Sequence, residues 1–375
     1  MDFTSSKNIP NKPLKVCLIS ISLARGGAER SVSILTDVLS SQGIEVHLVI
    51  LNDEIVYKYN ATLFNLGKHK KPNENILEKF LRFKKFRKYL LEHNFDYIID
   101  NRSRNNAFNE YCYLKWVYRG FKVIYVVRNY IPYSYFPKNN WVAKQMIRQA
   151  YALITVSKAI AKQLNGLYLT NKFEHIYNPI DEISNTIITP KNFKYILYLG
   201  RFEDYAKNIS LLLKAYSTSG LSENNIKLLL KGHGPDEELI QRIIQKDSVL
   251  RDNVVIETFD PDVYNVLKQA YFLVLTSRYE GFPRVLIEAL SVGTPVVSVD
   301  CTSGPREVVI NEVNGLLVEN NSVETLAQAF NRMMLDTELR ENCAANAISS
   351  VSHLKKEMIA KQWIQLLIKK AENEN

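Results

Sequence analysis

The sequence predicts an α/β protein whose parallel sheets are built from alternating strands and helices. An apolar run from Leu14 to Ser20 precedes a helix and then the strand Glu45 to Leu51, which together make a β-α-β unit. The segment from Tyr271 to Val297 has the order strand, loop, helix, strand. With 375 residues and 46% hydrophobic content, the chain is long enough for two domains, each with its own core.

Positive charge is confined to the first half of the chain. Residues 1–180 contain 27 Lys and Arg against 13 Asp and Glu, a net charge of +14. Residues 181–375 contain 21 against 26, a net charge of −5, so the whole chain carries +9. A basic half indicates a nucleic acid, an anionic membrane surface or a phosphorylated substrate as partner, and charge alone does not choose among them.

The composition also bears on location and on metal binding. No apolar run approaches the length of about 18 residues that a membrane-spanning helix needs, and Met1 to Pro13 lacks the apolar core of a signal peptide. We therefore expect a cytoplasmic protein. The cysteines lie far apart, without metal-ligand spacing, and are predicted to be reduced thiols. They are Cys17, Cys112, Cys301 and Cys343.

The chemistry is predicted to lie in the loop that follows the strand Tyr271 to Leu275. Glu280 precedes the helix, so its side chain is expected to point into a crevice. Gly281 lets the backbone approach a ligand closely, and Pro283 at the first helical turn leaves the next amides free for a phosphate. These are the amides of Arg284, Val285 and Leu286. Glu288, further along the helix, is placed to accept hydrogen bonds from two sugar hydroxyls.

Taken alone, Glu280 and Glu288 have a simpler explanation as a capping acid and a surface acid. Their neighbours argue against it, because the whole segment resembles the Glu-x7-Glu motif of a large retaining glycosyltransferase family. That family contains sucrose synthase, glycogen synthase and many bacterial polysaccharide enzymes. The matching residues are Glu280, Gly281, Phe282, Pro283, Glu288 and Ala289, with Gly293-Thr294-Pro295-Val296-Val297 after them. The resemblance implies that Glu280 lies beside the transferred sugar and that Glu288 binds the nucleotide ribose.

Two further elements resemble the same family. Gly26 and Gly27 form a Gly-Gly-x-Glu turn between a strand and a helix, where a phosphate or sugar can approach the backbone. They do not form the Gly-x-Gly-x-x-Gly fingerprint of a nicotinamide site. Arg201 follows the first strand of the second half, and Lys207 is predicted to start the next helix. Their spacing resembles the Gly-Arg…Lys element of the family. We expect them to clamp a diphosphate.

Other positions depart from the family or do not belong to its motifs. Many members have a histidine near position 128, where this chain has Arg128 and Asn129. We expect these two residues to contact the acceptor, although a structural role explains Arg128 equally well. Asp260 and Asp262 form the Asp-x-Asp pattern that holds a divalent metal in the other main glycosyltransferase fold. Here they are interpreted as acids that favour a helix start, and no metal site is predicted.

The segment from Ile76 to Leu91 is a basic amphipathic helix, with Lys and Arg interleaved among Phe, Leu and Tyr. Such a helix lies at the head-group level of an anionic membrane. It is equally typical of a surface helix whose apolar stripe faces the sheet. Both interpretations stay open, since one helix can do both.

The resemblance implies two Rossmann-like domains facing a cleft, the arrangement called GT-B. Residues 1–182 would bind the acceptor, residues 187–350 the nucleotide sugar, and residues 351–375 would form a helix that packs back on the first domain. The implied activity is retaining transfer of a hexose or N-acetylhexosamine, most simply from a UDP-sugar, to a glycan or glycolipid of a bacterial surface.

We expect no cofactor, because the nucleotide sugar is a substrate, and no metal, because Arg201, Lys207 and the amides after Pro283 would neutralise the diphosphate. The implied location is the inner face of an anionic membrane, with no nucleic-acid partner. The alternatives are a phosphorylase or sugar-nucleotide epimerase of the same fold, or a nucleic-acid-binding protein that uses the basic first half.

Overall fold

The computed structural model describes residues 13–24, 26–181, 189–260 and 262–372. The chain divides into two compact units. The first contains Met1–Thr155, Ala161–Ile176 and Ile359–Asn375, and the second contains Val156–Ile160 and Tyr177–Met358. The expected domain boundary, at residues 182–187, lies outside the described residues, as does Pro261 of the Asp-x-Asp pattern.

The first unit is built on a parallel sheet of seven strands in the order β3-β2-β1-β4-β5-β6-β7. Its central strands are buried on both faces, which explains their nearly continuous apolar sequences. The strands are β1 (Lys15–Ser20), β2 (Glu45–Ile50), β3 (Thr62–Asn65), β4 (Tyr97–Asp100), β5 (Val123–Val127), β6 (Ala152–Thr155) and β7 (Phe173–His175).

Helices connect these strands. They are α1 (Gly27–Ser40), α2 (Ile76–His93), α3 (Ala107–Cys112), α4 (Asn140–Gln149) and α5 (Lys158–Tyr168), with short 3₁₀ turns at Leu66–His69 and Pro132–Ser134 and a π turn at Tyr113–Val117. The predicted β-α-β unit at the start of the chain is confirmed as β1, α1 and β2. Gly43, with φ of +76°, ends the turn after α1, where a left-handed backbone favours glycine.

The second unit is built on a parallel sheet of six strands in the order β10-β9-β8-β11-β12-β13. The strands are β8 (Lys194–Leu199), β9 (Ile226–Lys231), β10 (Val254–Glu257), β11 (Leu273–Leu275), β12 (Val296–Val299) and β13 (Gly315–Val318). In both sheets the first three strands follow one another toward one edge, and the fourth strand pairs with the other side of the first. This is the Rossmann strand order. The prediction of two Rossmann-like domains is confirmed.

The helices of the second unit are α6 (Asp204–Lys207), α7 (Ile209–Ser217), α8 (Glu237–Lys246), α9 (Ser248–Asn253), α10 (Tyr264–Gln269), α11 (Arg284–Ser291), α12 (Pro305–Val308), α13 (Val323–Leu335) and α14 (Thr337–Ser350), followed by a 3₁₀ turn at Ser352–Leu354. The last helix, α15 (Lys356–Glu372), belongs to the first unit from Ile359 onward. There the Tyr97 hydroxyl of β4 donates to the Leu367 carbonyl at 2.7 Å. The helix therefore returns to the first unit, as expected.

Helix α2 is amphipathic, but its charges are not all on the solvent side. Phe83, Phe86 and Leu90 are buried in the core. Arg82 is also buried, and it donates two hydrogen bonds of 2.7 Å to the Glu74 carboxylate. Burying this guanidinium is tolerated because a carboxylate neutralises it.

Arg87 of α2 is likewise used within the protein, since its guanidinium donates to the backbone carbonyls of Trp116, Val117 and Arg119. The solvent-exposed residues of α2 form what we call its outer face. They are Ile76, Leu77, Phe80, Leu81, Lys84, Lys85, Lys88, Leu91 and Glu92, and Lys88 lies 3.5 Å from Glu92.

A buried ionic network fixes the chain just after β4. Arg102 lies 2.7 Å from Asp100 and 3.1 Å from Glu110, and the fully buried Arg104 donates to the carbonyls of Asp100 and Arg102. Burial raises the pKa of Glu110. Burial opposes ionisation of Asp100 as well, but Arg102 and Arg104 outweigh it and the pKa of Asp100 is lowered. Asp100 is therefore charged and holds both arginines in place.

Candidate active site

The predicted loop and helix after β11 are present, and they lie where the sheet of the second unit changes direction. Strands β8 and β11 are neighbours, and chain order runs outward from them on either side. Ligands of open parallel sheets bind outside the carboxyl ends of strands at such a switch point. The residues that follow β8 and β11 are therefore the expected ligand-binding site.

Glu280 and Lys207 meet at this switch point. The Lys207 ammonium lies 2.6 Å from Glu280 Oε1, and the Ser277 hydroxyl donates to the same oxygen at 2.6 Å. The side chains of Lys207 and Glu280 are 27% and 13% exposed, so the pair is accessible and yet held. The sequence predicted both residues as functional, but not their contact, and it did not single out Ser277.

Backbone contacts hold Lys207 in position. The Thr276 hydroxyl donates to the Lys207 carbonyl at 2.9 Å, and the Arg278 amide donates to the Ala206 carbonyl at 2.9 Å. The sequence placed Lys207 at the start of a helix, which is wrong. It ends the short helix α6, and Asn208, with φ of 52°, separates α6 from α7. The two loops are thus joined by backbone as well as by the ion pair.

Helix α11 begins at Arg284 with Pro283 as its N-cap, and Gly293, with φ of +86°, follows its end. The expectation that the Leu286 amide is free for a phosphate is wrong, because this amide donates to the Pro283 carbonyl at 3.1 Å. Helix α11 begins with this tight turn, so Leu286 is not available to a phosphate. The contribution of the Arg284 and Val285 amides stays a prediction.

Glu288 lies inside the protein. Its side chain is 4% exposed and lies 3.1 Å from the guanidinium of Arg284, one helical turn earlier. Arg284 also donates to the Pro179 carbonyl at 3.2 Å. The pair therefore links α11 to the segment that leads into the second unit. The predicted contact of Glu288 with a ribose is not tested by this arrangement.

Phe282 of the motif packs inward. Its ring stacks on Tyr177 with centroids 4.7 Å apart, and the Tyr177 hydroxyl donates to Glu307 at 2.9 Å. A second loop supports the motif from the other side, since the Ser303 hydroxyl donates to the Gly281 carbonyl at 3.1 Å. We call Ser303 and Gly304, which precede α12, the bracing loop, and no role for them was predicted from the sequence.

Gly304 of the bracing loop leaves no room for a side chain. Its φ is +95°, and a Cβ there would lie 2.5 Å from Pro283 Cδ and 3.2 Å from the Gly281 carbonyl oxygen. Glycine is required both by the left-handed backbone and by the close approach. The position of Pro283, and with it the start of α11, depends on this residue.

Arg201 is less constrained than Lys207. Its side chain is 65% exposed and lies 3.4 Å from Glu203. Its backbone is fixed, because the Tyr198 hydroxyl donates to the Arg201 carbonyl at 2.9 Å. The structure thus brings Glu280 and Lys207 together, whereas a role of Arg201 in the diphosphate clamp stays a prediction.

A nucleophilic cysteine is not part of this site. Burial and the nearby Glu280 carboxylate raise the pKa of the Cys301 thiol to about 12. The thiol therefore stays protonated at neutral pH, and a protonated thiol is a poor nucleophile.

The remaining candidates, all in the first unit, lie at the carboxyl ends of its strands. Gly26 is the N-cap of α1, which begins at Gly27, and a Cβ at Gly26 would meet the folded-back Glu29 carboxylate at 2.2 Å. The Arg128 guanidinium donates to Asn101 Oδ1 at 3.2 and 2.7 Å.

Asn129 Oδ1 accepts the Ile131 amide at 3.1 Å, so its side chain shapes the turn after β5. Asn101, which holds Arg128, was not singled out in the sequence. The acceptor contacts of Arg128 and Asn129 stay predictions.

The two Rossmann-like sheets and the Glu280 loop define a glycosyltransferase of the GT-B fold. Comparison with known families agrees: the model described as glycosyl transferases group 1 matches residues 179–350, and that described as Glycosyltransferase Family 4 matches residues 25–182. A Campylobacter jejuni protein, N-acetylgalactosamine-N,N'-diacetylbacillosaminyl-diphospho-undecaprenol 4-alpha-N-acetylgalactosaminyltransferase, is 30% identical over 94% of this chain and 99% of its own length. The chain belongs to this glycosyltransferase family.

Other relatives share part of the sequence or the fold. The lipopolysaccharide 1,6-galactosyltransferase of Escherichia coli is 28% identical over 48% of this chain and 51% of its own length. Two crystal structures of TarM are similar to this chain. One has a TM-score of 0.77 at 14% identity, covering 94% of this chain and 99% of TarM. The other has a TM-score of 0.79 at 15% identity, covering 96% and 100%. The structure of Anabaena HepE in complex with UDP has a TM-score of 0.76 at 19% identity, covering 95% and 100%.

In the described part of the chain, no group of three or more His, Cys, Asp or Glu side chains is placed to hold a metal ion. None of the helices there combines the length and the apolar content that crossing a lipid bilayer would take.

The bracing loop gives a first testable prediction. Replacing Gly304 with Ala should displace Pro283 and weaken binding of UDP, the nucleotide that the family resemblance leads us to expect, by about tenfold or more, equivalent to at least about 1.4 kcal/mol. The matched control is Gly166→Ala, at a helical glycine where an added Cβ meets nothing within 4 Å. Calorimetric titration with UDP measures both. Equal UDP affinity in the two variants would show that the motif loop does not depend on Gly304.

Proposed function

We propose that this glycosyltransferase moves a hexose or N-acetylhexosamine from a UDP-sugar to a glycan or lipid-linked acceptor, with retention of anomeric configuration, in the synthesis of a bacterial surface glycan. The observation that carries the proposal is the contact between Lys207 and Glu280 at the switch point of the second sheet. A cation and a carboxylate side by side at this edge are what the diphosphate and the transferred sugar of a nucleotide sugar would require, and this supports the proposal.

The residues at this contact have complementary tasks in the proposed reaction. The bond between the anomeric carbon and the diphosphate oxygen breaks, and its electron pair leaves with UDP. Negative charge then grows on the diphosphate, where Lys207 and the first amides of α11 stabilise it. Glu280, held by Lys207 and Ser277, faces the sugar as it becomes cation-like.

Retention follows from the side of attack. The acceptor oxygen bonds to the anomeric carbon on the face that UDP leaves, and its proton passes to a phosphate oxygen of the departing UDP. This route needs no carboxylate nucleophile. It is consistent with Glu280 being occupied by Lys207 and Ser277.

The choice of donor and acceptor rests on the relatives. The name of the Campylobacter protein describes transfer of N-acetylgalactosamine to a diphospho-undecaprenol-linked sugar, and the HepE structure holds UDP. Since the Campylobacter relative matches nearly the whole chain, we propose a UDP-sugar donor and a lipid-linked acceptor here. A thermal-shift screen across UDP-, GDP- and ADP-sugars tests the donor, because a ligand at about 100 times its Kd stabilises by about 2.7 kcal/mol.

We also propose that the enzyme works at an anionic membrane through the outer face of α2. Ile76 and Leu77 are 82% and 73% exposed, and Phe80 and Leu81 are more than half exposed. Three exposed lysines, Lys84, Lys85 and Lys88, follow along the same helix. This mixture of apolar and basic side chains suits the head-group region of an anionic bilayer.

The location is then peripheral, on the inner face of the membrane. The positive charge of the first unit serves the membrane and a phosphorylated acceptor, with no nucleic-acid partner. The structure reduces the number of basic residues available, because Arg82 and Arg87 are used within the protein. The exposed lysines contribute about 1 kcal/mol each at an anionic surface.

The role of Lys207 can be tested by truncation. Replacing Lys207 with Ala should lower sugar transfer by about tenfold or more while the protein stays folded, because a cation that meets the diphosphate is lost. The control is Lys214→Ala, an exposed lysine of α7 in the same unit. Transfer from a labelled UDP-sugar to a membrane lipid extract is the measurement. Activity within about threefold of wild type, a barrier change below about 1 kcal/mol, would reject the role of Lys207.

The charge compensation proposed for UDP predicts that activity survives EDTA. Side chains and the start of α11 would neutralise the leaving group without a metal ion. Transfer is measured after EDTA treatment and again after adding manganese or magnesium. Loss of activity that one of these ions restores would contradict metal independence and bring Asp260 and Asp262 back as ligands.

Membrane contact can be tested by co-sedimentation with anionic vesicles at low and high salt. Changing Lys84, Lys85 and Lys88 together to Glu should abolish sedimentation at low salt, because attraction turns into repulsion. The matched control changes Lys214, Lys246 and Lys268 of the second unit to Glu, which alters net charge equally. If both variants sediment like wild type, the outer face of α2 is only solvated surface.

A further inference from the structure

The first unit contains a cavity of about 510 Å³ that the transfer reaction does not use. Its volume falls in the range of about 300–1,000 Å³ that is typical of small-molecule sites. The residues that line it include Tyr111, Lys115, Tyr118, Arg119, Tyr125 and Gln149. They lie on α3, on the π turn and the residues that follow it, within β5, and at the end of α4 just before β6, so most of them precede the amino-terminal ends of β5 and β6. In a parallel sheet this is the edge opposite to the one that holds Gly26 and Arg128.

The mouth of the cavity is positive. Lys115 and Arg119 are both exposed and both line it. Within the described ranges, neither side chain pairs with a carboxylate, whereas the buried Arg82 and Arg102 both do. A lysine and an arginine without acidic partners at one opening favour an anion, and above all a phosphate.

The interior of the cavity is aromatic. Tyr118 and Tyr125 are 2% and 1% exposed, so their rings form its inner wall. The Tyr118 hydroxyl is used by Asp100, to which it donates at 3.0 Å. Burial raises the pKa of Tyr125, so its hydroxyl stays a donor at neutral pH. A ligand with a phosphate at one end and a small polyol or sugar at the other matches this wall.

The wall of the cavity is attached to α2. The π turn that carries Lys115 also carries Trp116. The Trp116 ring stacks on Phe80 of the outer face, with the ring centroids 4.8 Å apart. Tyr111, which also lines the cavity, has its ring centroid 5.8 Å from that of Trp141, which is 56% exposed. Exposed Trp and Tyr side chains are typical of membrane–water interfaces. The segment that lines the cavity is therefore in contact with the surface proposed to meet the bilayer.

We propose that this cavity binds the phosphate-bearing head group of an anionic phospholipid, with Lys115 and Arg119 on the phosphate and the tyrosines around the glycerol or sugar of the head group. The inference deepens the proposed membrane contact of α2 and rests on it. A soluble sugar phosphate offers the same chemistry from another source, and the experiment separates the two.

The test is calorimetric titration of the full chain with short-chain phosphatidylglycerol below its micelle-forming concentration. We expect saturable binding that weakens by about tenfold or more in Lys115→Ala/Arg119→Ala. Short-chain phosphatidylcholine, glycerol 3-phosphate and inorganic phosphate should bind at least about tenfold more weakly than phosphatidylglycerol to wild type. Tyr125→Phe, which keeps the ring, should weaken phosphatidylglycerol binding to a smaller extent.

A matched pair, Lys84→Ala/Lys88→Ala, should keep soluble lipid binding while weakening vesicle binding by about tenfold or more. Unchanged UDP affinity in both double variants shows that the donor site is intact, so failure here is distinguishable from failure of the proposed transferase activity. Absence of saturable lipid binding, or equal binding in wild type and Lys115→Ala/Arg119→Ala, overturns the site. Glycerol 3-phosphate that binds as tightly as the lipid overturns the lipid head group as its ligand.

Discussion

The ion pair between Lys207 and Glu280 joins the loops that follow two neighbouring strands, β8 and β11. The Thr276 hydroxyl and the Arg278 amide donate to the backbone carbonyls of Lys207 and Ala206 and hold the same two loops together. With both loops fixed, a cation and a carboxylate stand in one arrangement beside the start of α11. Preorganised charge of this kind lowers a barrier because it does not have to be reorganised during the reaction.

The fold and the central residues of the site follow from the sequence because they depend on local signals. Apolar runs of strand length and the Pro283 and Gly293 boundaries identify the strand, loop and helix that carry Glu280. The motif around it is long enough to be specific. Glu280 and Lys207 were both predicted, although they are 73 positions apart in the chain.

What the sequence did not reveal depends on contacts between distant segments. Neither the burial of Glu288 against Arg284 nor the close packing of Gly304 on Pro283 has a local signal. The same holds for α2, where sequence alone cannot separate Arg82 and Arg87, which bond within the protein, from the lysines that reach solvent. Arg82 and Arg87 differ from these lysines in having a carboxylate or carbonyl partner that another segment supplies.

We propose that Glu280 acts on the sugar during transfer rather than on binding of the donor. The most direct test compares single-turnover transfer by wild type and Glu280→Gln at saturating UDP-sugar, together with the Kd of that donor. We predict a transfer rate lower by about 100-fold or more, with the Kd changed by less than about threefold. An unchanged saturating rate with a raised Kd would contradict this role, because Glu280 would then serve only to bind the donor.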